Sequence, residues 1–499
     1  MRPRQQGAQA STLGSRFPAA LLAAFLPVFL LVFLLMFLLG GCAQPPRPQA
    51  QASLPVGVAL PTDVEPRDLR DLPQNLTALL PLASLDQPLL SPEAQAVFLT
   101  RFRAAHFGPW GQTNATYSRA SALWGLDKLG NGRHFGENLR PLGPGFRAEM
   151  EAQVQAFAYP SLARPAIATA NTSLRVLPTI RPGFLKPTRP GEGFPFDYWQ
   201  NSGVWAGTPL IVTHLSADGA WALVETRFAG GWVRVADLAY VDEDFAARWT
   251  SLPLLAVTRE HTPVLAPAES GGGNLLDGRI GTVLPLLAED EAGYTALAPV
   301  RGANGLAESI VVRIARADAS PMPLAATPRN LASLADQMLG QPYGWGGYLD
   351  NRDCSALMLD LFAPLGIFLP RNSSQQAKAG EFLSLKGLSG SEKEALVLSR
   401  GVPLLTLLSK PGHIMLYLGQ ATVEGRGRAL MLHAIWGLKT LDESKVEGRV
   451  VLGRTVVTTL EPGRELPDVA RAGTLLETMS GLTLLAPGGW PPATTDKTR

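Results

Sequence analysis

The sequence predicts a multidomain α+β protein, and three observations lead there. Apolar spacing is helical near the N-terminus, changes to short β-rich runs near Thr172, and returns to a helix followed by strands after Leu331. Glycine and proline are abundant, with 50 and 42 residues, which favours turns and short strands over long helices. The 499 residues suffice for several domains with real cores. The net charge of +2 gives no footprint for nucleic acid.

Arg2, Arg4 and Arg16 precede an apolar stretch over about residues 17–39, the layout of a secretory signal. Two readings stand for it. The run is long enough to span a bilayer as an uncleaved anchor. It also ends in Leu39-Gly40-Gly41-Cys42, which resembles a bacterial lipobox with Cys42 as the lipidated residue. On that reading residues 1–41 are the signal and 42–62 a Pro/Gln-rich tether. The membrane is then a partner through the lipid, on the periplasmic side of an outer membrane or cell envelope. Both readings export the rest of the chain. Cys42 and Cys354 are the only cysteines, so no structural disulfide is expected unless they meet.

Residues 63–165 are expected to be mostly helical, with one stripe of Ala94, Val97, Phe98, Arg101 and Phe102 and another of Phe146, Met150, Val154 and Phe157. Residues 166–247 carry Leu174-Arg175-Val176, Leu210-Ile211-Val212-Thr213-His214, Trp221-Ala222-Leu223-Val224 and Gly231-Trp232-Val233-Arg234-Val235. Turn residues separate these runs, which predicts a small antiparallel barrel. Residues 248–318 repeat the pattern through Leu254-Leu255-Ala256-Val257, a run over 281–286, Tyr294-Thr295-Ala296-Leu297 and Ser309-Ile310-Val311-Val312. Ser320-Pro321-Met322-Pro323-Leu324 reads as a linker. Residues 325–465 form the last domain, with a charged surface loop near 386–395, and residues 466–499 a tail.

Chemistry concentrates in that last domain. Cys354 follows an acid and opens an amphipathic helix whose buried stripe is Leu357, Met358, Leu361 and Phe362. Asp353 is a fair N-cap. A helix N-terminus stabilises a thiolate with its unpaired N–H groups, so Cys354 is placed as a nucleophile. His413 and His433 each lie in an alternating run. If those runs pair, the imidazoles meet above the cysteine helix, with His413 as base and His433 orienting it. On spacing alone other readings remain: satisfied core histidines, an incidental free cysteine, or a Cys/His/His metal site. No close-spaced ligand pair supports the last, and no metal or cofactor is expected.

Four segments resemble successive motifs of the NlpC/P60 cysteine peptidases. They are Gln341-Pro342-Tyr343-Gly344-Trp345-Gly346-Gly347, Asp353-Cys354-Ser355, Leu369-Pro370-Arg371-Asn372-Ser373-Ser374-Gln375-Gln376 and Gly412-His413-Ile414. They occur in the family's order, and His433 falls where its third catalytic residue is expected. The β modules resemble bacterial SH3 domains, and the helical region is similar to the stabilising domain of one branch.

The resemblance implies a papain-like domain cleaving peptidoglycan stem peptides between γ-D-Glu and a diamino acid such as meso-diaminopimelate. It implies Tyr343 at the oxyanion beside the Cys354 N–H; packing in the Gly-rich turn is that tyrosine's other reading. In this branch the first SH3 domain walls off the cleft, and peptides with a free N-terminal L-Ala are preferred. Asp353 would then hold the ammonium group, Ser355 add a hydrogen bond, and Tyr198 contribute to the wall. The alternatives are a non-catalytic cell-wall-binding lipoprotein, and an acyltransferase or amidase on the same type of fold.

Overall fold

The computed structural model describes residues 65–129, 133–267 and 272–485. The signal or anchor stretch, Cys42 and the end of the tail lie outside them. No helix among the described residues is long and apolar enough to cross a membrane.

The first described segment is helical. Ser91 caps the helix Pro92–Phe107 by accepting from the Ala94 N–H, with proline in the first turn. Its buried face is Gln95, Phe98, Phe102 and His106; the stripe read from sequence shares only the two phenylalanines with it. In the helix Pro144–Val154, Phe146, Met150 and Val154 are buried as expected. Phe157 is not: Gln155 takes a left-handed conformation and ends the helix, leaving Phe157 93% exposed.

Two seven-stranded antiparallel barrels follow. The first runs β1 (Arg164–Ala168), β2 (Thr172–Arg175), β3 (Gln200–Val204), β4 (Pro209–Leu215), β5 (Trp221–Thr226), β6 (Gly230–Arg234) and β7 (Leu238–Tyr240). Its neighbours lie in the order β3-β2-β6-β5-β4-β1-β7. The second runs β8 (Leu254–Val257), β9 (Thr262–Leu265), β10 (Asn274–Gly278), β11 (Val283–Asp290), β12 (Gly293–Arg301), β13 (Ala307–Ala315) and β14 (Ala319–Pro321). It repeats that order as β10-β9-β13-β12-β11-β8-β14. Alternating apolar residues fill each interior, such as Leu210, Val212, Ala222 and Val224 in the first and Leu255, Leu284, Ala296 and Val312 in the second.

The last sheet is built from β15 (Glu381–Ser384), β16 (Thr406–Lys410), β17 (His413–Val423), β18 (Arg426–Leu441), β19 (Glu447–Thr459) and β20 (Gly481–Leu484), ordered β15-β20-β16-β17-β18-β19. The helix Cys354–Phe362 packs with Ile414, Leu416, Leu418, Leu430 and Leu432 in one core cluster. Met415, Tyr417 and Met431 fill a second cluster, so apolar packing covers both sets of alternating residues.

Three expectations need correcting. Residues 466–499 are not merely a tail, because β20 lies between β15 and β16 and hydrogen-bonds to both. The charged stretch near 386–395 is not a solvated loop. Ser389 and Glu392 form a capping box that starts the helix Gly390–Arg400, and Lys393 is buried, donating to the Glu477 carbonyl at 2.7 Å. The proline stretch after 319 is a strand and a packed turn, with the Leu324 N–H donating to the Pro364 carbonyl at 2.8 Å.

Candidate active site

Cys354 is the first residue of its helix, and Asp353 caps it by accepting from the Ser355 and Ala356 N–H groups at 3.1 and 2.8 Å. The capping carboxylate has further donors. Arg371 meets it through two nitrogens at 3.0 and 2.6 Å, the Ser355 hydroxyl donates at 3.1 Å, and the Gly346 N–H donates at 3.0 Å. Burial pushes the Asp353 pKa up, but the Arg371 charge and these hydrogen bonds outweigh it and leave it below the ordinary carboxylate value. The motif containing Arg371 also braces the helix through Gln376, whose side chain donates to the Ser355 and Pro370 carbonyls, each at 2.8 Å.

Cys354 is buried, with 6% of the residue exposed. Burial, followed by the charge of Asp353, pushes its pKa up to about 12. The N–H groups of Ile414 and Ser355 and the Arg371 charge pull the other way without prevailing. This corrects the expectation of a standing thiolate: at the helix start, desolvation and an adjacent anion win. Burial, then Lys410, depresses His413 to about 3. The resting pair is therefore a neutral thiol and a neutral imidazole.

The two histidines come together. β17 and β18 pair antiparallel, with Leu416 opposite Leu432, and His413 Nε2 lies 2.8 Å from His433 Nδ1. His433 is fully buried, and its Nε2 lies 3.0 Å from the Thr458 hydroxyl. That hydroxyl donates to the Thr459 carbonyl at 2.7 Å, an obligate acceptor, so it must accept from His433 Nε2–H. His433 Nδ1 is then the acceptor for His413 Nε2–H. The tautomers assigned from this network leave His413 Nδ1 with a free lone pair. Among the described residues no hydrogen bond joins the thiol to His413. The Ile414 N–H acting on the sulfur nevertheless puts Cys354 beside the start of β17.

Tyr343 lies close enough that the Cys354 and Asp353 charges, after burial, raise its pKa far above the ordinary phenol value. It stays protonated, and its hydroxyl makes no hydrogen bond among the described residues. Its ring centroid lies 6.2 Å from that of Phe196 and 6.1 Å from that of Trp436.

The first barrel closes over this end of the domain. Phe196 stands 5.3 Å from Trp345 and 5.5 Å from Trp436, and Tyr198 stands 5.7 Å from Trp345. Ser202 on β3 accepts from Arg371 Nε at 2.8 Å. The Gly-rich turn needs its glycines here: Gly346 and Gly347 have φ of 62° and 86°, and a Cβ on Gly347 would lie 2.2 Å from the Gly203 nitrogen.

Sequence reading thus named the thiol, both histidines and Tyr343. It quoted Arg371 only as part of a motif and missed Thr458 and Trp436. The β-branched run Thr455-Val456-Val457-Thr458-Thr459 marks a strand, but its polar and apolar residues do not alternate, so it assigns no face to Thr458. Among the described residues no group of His, Cys, Asp or Glu is arranged as metal ligands.

Profiles of known families match four parts of the chain. One described as the NlpC/P60 family matches residues 340–459, and one described as an N-terminal NLPC_P60 stabilising domain matches 31–159. SH3 domains of the SH3b1 and SH3b2 types match 182–234 and 242–291. A gamma-D-glutamyl-L-lysine dipeptidyl-peptidase of Bacillus subtilis (strain 168) is 31% identical over 112 residues, covering 22% of this chain and 35% of the relative. A protein of the same name from Bacillus cereus (strain ATCC 10987 / NRS 248) is 30% identical over 151 residues, covering 30% of this chain and 44% of the relative. The chain thus spans less than half of these relatives. A solved NlpC/P60 endopeptidase from Photobacterium damselae subsp. piscicida superposes with a TM-score of 0.76 at 24% identity, over 85% of this chain and 98% of that one. That likeness establishes a shared fold.

Proposed function

We propose, from the match of residues 340–459 to the NlpC/P60 family and of 31–159 to its N-terminal stabilising domain, that the chain is a cysteine endopeptidase of peptidoglycan stem peptides. The bond cut is the one between γ-D-Glu and the following diamino acid. The observation that carries this reading is the ordered chain from Thr458 through His433 to His413, which presents a lone pair on Nδ1 next to the start of the cysteine helix.

Cys354 Sγ attacks the γ-carbonyl carbon as its proton moves to His413 Nδ1. The oxygen of the tetrahedral intermediate takes hydrogen bonds from the Cys354 N–H and the Tyr343 hydroxyl. His413 then gives its proton to the leaving amine, the C–N bond breaks, and a thioester remains. Water, deprotonated by His413, attacks that thioester; the carboxylic acid leaves and the thiol reforms. His433 holds the imidazole and, through its hydrogen bond, supports the positive charge it carries in between. Since both resting groups are neutral, substrate must enter before the ion pair forms.

The preference for a free N-terminal L-Ala is the finer part of the reading. Phe196 and Tyr198 cover the cleft from the first barrel, which suits short peptides. Asp353 offers an ionised carboxylate with 12% of its side chain exposed, and Arg371 both fixes it and weakens its pull on an ammonium group. Ser355 supports Asp353 from behind. Export and a lipid at Cys42 complete the proposal by placing the enzyme in the cell envelope, where the SH3 modules would meet wall material. Mass spectrometry of L-Ala-γ-D-Glu-meso-diaminopimelate after incubation with the protein and with Cys354→Ala tests the reading. Release of diaminopimelate by the first alone supports it; the intact peptide in both samples overturns it.

A further inference from the structure

Lys410 is the last residue of β16, directly opposite His413 across the Pro411-Gly412 turn. Residues directly opposite in an antiparallel pair project from the same face, so the ammonium group shares the face of the base. Its charge acts on both His413 and His433. Lys410 is half-buried, yet among the described residues its ammonium group makes no ion pair or hydrogen bond. Other cations around the site are matched: Arg371 by Asp353, Arg352 by Glu260 and Asp360, and Arg449 by Glu447 at 2.7 Å. The acid beside the nucleophile is thus already ion-paired. Arg449 adds a second positive charge near Lys410, but Glu447 already holds it, so among the described residues the Lys410 ammonium is left without an acidic partner.

The position says which part of a substrate would supply one. The base that takes the thiol proton later delivers it to the leaving nitrogen, so the leaving group departs beside His413, whose direct cross-strand neighbour is Lys410. We propose that Lys410 binds the side-chain carboxylate of the leaving diamino acid and so selects diaminopimelate over lysine. Identifying the ligand with a stem-peptide residue rests on the function proposed above. Diaminopimelate ends in an ammonium and a carboxylate; lysine ends in an ammonium alone, which the Lys410 charge repels. A charge-assisted hydrogen bond of this kind corresponds to about ten- to hundred-fold in affinity.

Binding can be read without turnover, in the full chain carrying Cys354→Ala, by calorimetry with three tripeptides. These are L-Ala-γ-D-Glu-meso-diaminopimelate, the same peptide amidated at the side-chain carboxyl, and L-Ala-γ-D-Glu-L-Lys. The first should bind at least about ten-fold tighter than the other two. Adding Lys410→Met should collapse the difference, and Lys410→Arg should keep it. Equal binding of the acid and its amide overturns the proposal on the protein that retains Lys410, whatever the folding of the variants. A preference that survives Lys410→Met, or no binding of any peptide, also overturns it. Hydrolysis by the protein with Cys354 is scored separately: a preserved binding preference with no cleavage supports this site and strikes only the peptidase reading.

Discussion

The two barrels share a strand order but serve different parts of the cysteine helix. The first reaches its N-terminal end: Ser202 holds Arg371, which holds Asp353, while Phe196 and Tyr198 lie on the rings around Tyr343. The second reaches its flank. Glu260 pairs with Arg352 at 2.8 Å and Arg279 at 2.7 Å, and Arg352 pairs onward with Asp360 of the helix at 2.7 Å. Burial opposes the charge on Glu260, but Arg352 and then Arg279 hold its pKa down at about 2. Trp205 of the first barrel completes this cluster by donating to Asp360 at 3.0 Å. Two modules of one strand order thus meet the same helix differently, one at its capping acid and one along its flank.

The difference can be broken in order of effect. Cys354→Ala should remove turnover by at least about 10⁴-fold with the thermal midpoint kept, measured on the same sample; retained turnover would remove the nucleophile from the account. Glu260→Ala leaves two buried guanidinium groups short of an acid and should cost about 3–5 kcal/mol of stability. Urea unfolding measures that, and kcat/KM of the still-folded protein should change far less. A kinetic loss with no loss of stability would reverse the roles given to the two barrels. His433→Ala should lower kcat/KM by about 10- to 100-fold, less than His413→Ala; equal losses would merge their roles. Phe196→Ala should act mainly on KM, by about ten-fold for the loss of one packed ring, and an unchanged KM would mean the aromatic wall does not touch substrate.

The smallest expected effect concerns pH. Unfolded histidines gain protons below about 6.5, whereas His413 resists until about 3 and His433 lies well below the ordinary value, both because of burial. Between those limits the unfolded chain binds more protons, so stability rises with pH and is lost as pH falls from 6.5 toward 3. Replacing His433 with glutamine should shrink the fall in urea midpoint between pH 6.5 and 5, and an unaltered fall would show that this histidine is already charged when folded.

How legible the site was follows from distance along the chain. Cys354 and its cap are neighbours, so composition and helical spacing expose them. His413 and His433 are 20 residues apart on adjacent strands, and alternation made their meeting foreseeable. Arg371 reaching Ser202, or Phe196 reaching Tyr343, depends on docking between domains, for which a sequence pattern carries no register. The strand β20 was missed for a related reason: four residues near the chain end carry little periodicity, and only their place between β15 and β16 reveals them. The thiol state failed in another way, since the helix-start rule is local whereas burial and the Asp353–Arg371 pair come from the whole fold.

The central claim is that the first barrel turns a general thiol peptidase site into one for short peptides with a free amine. It is tested most directly by kcat/KM for L-Ala-γ-D-Glu-meso-diaminopimelate and for its N-acetylated copy. Cleavage of the free-amine peptide, with the acetylated one slower by at least about ten-fold, is the predicted result. Equal rates on both would contradict it.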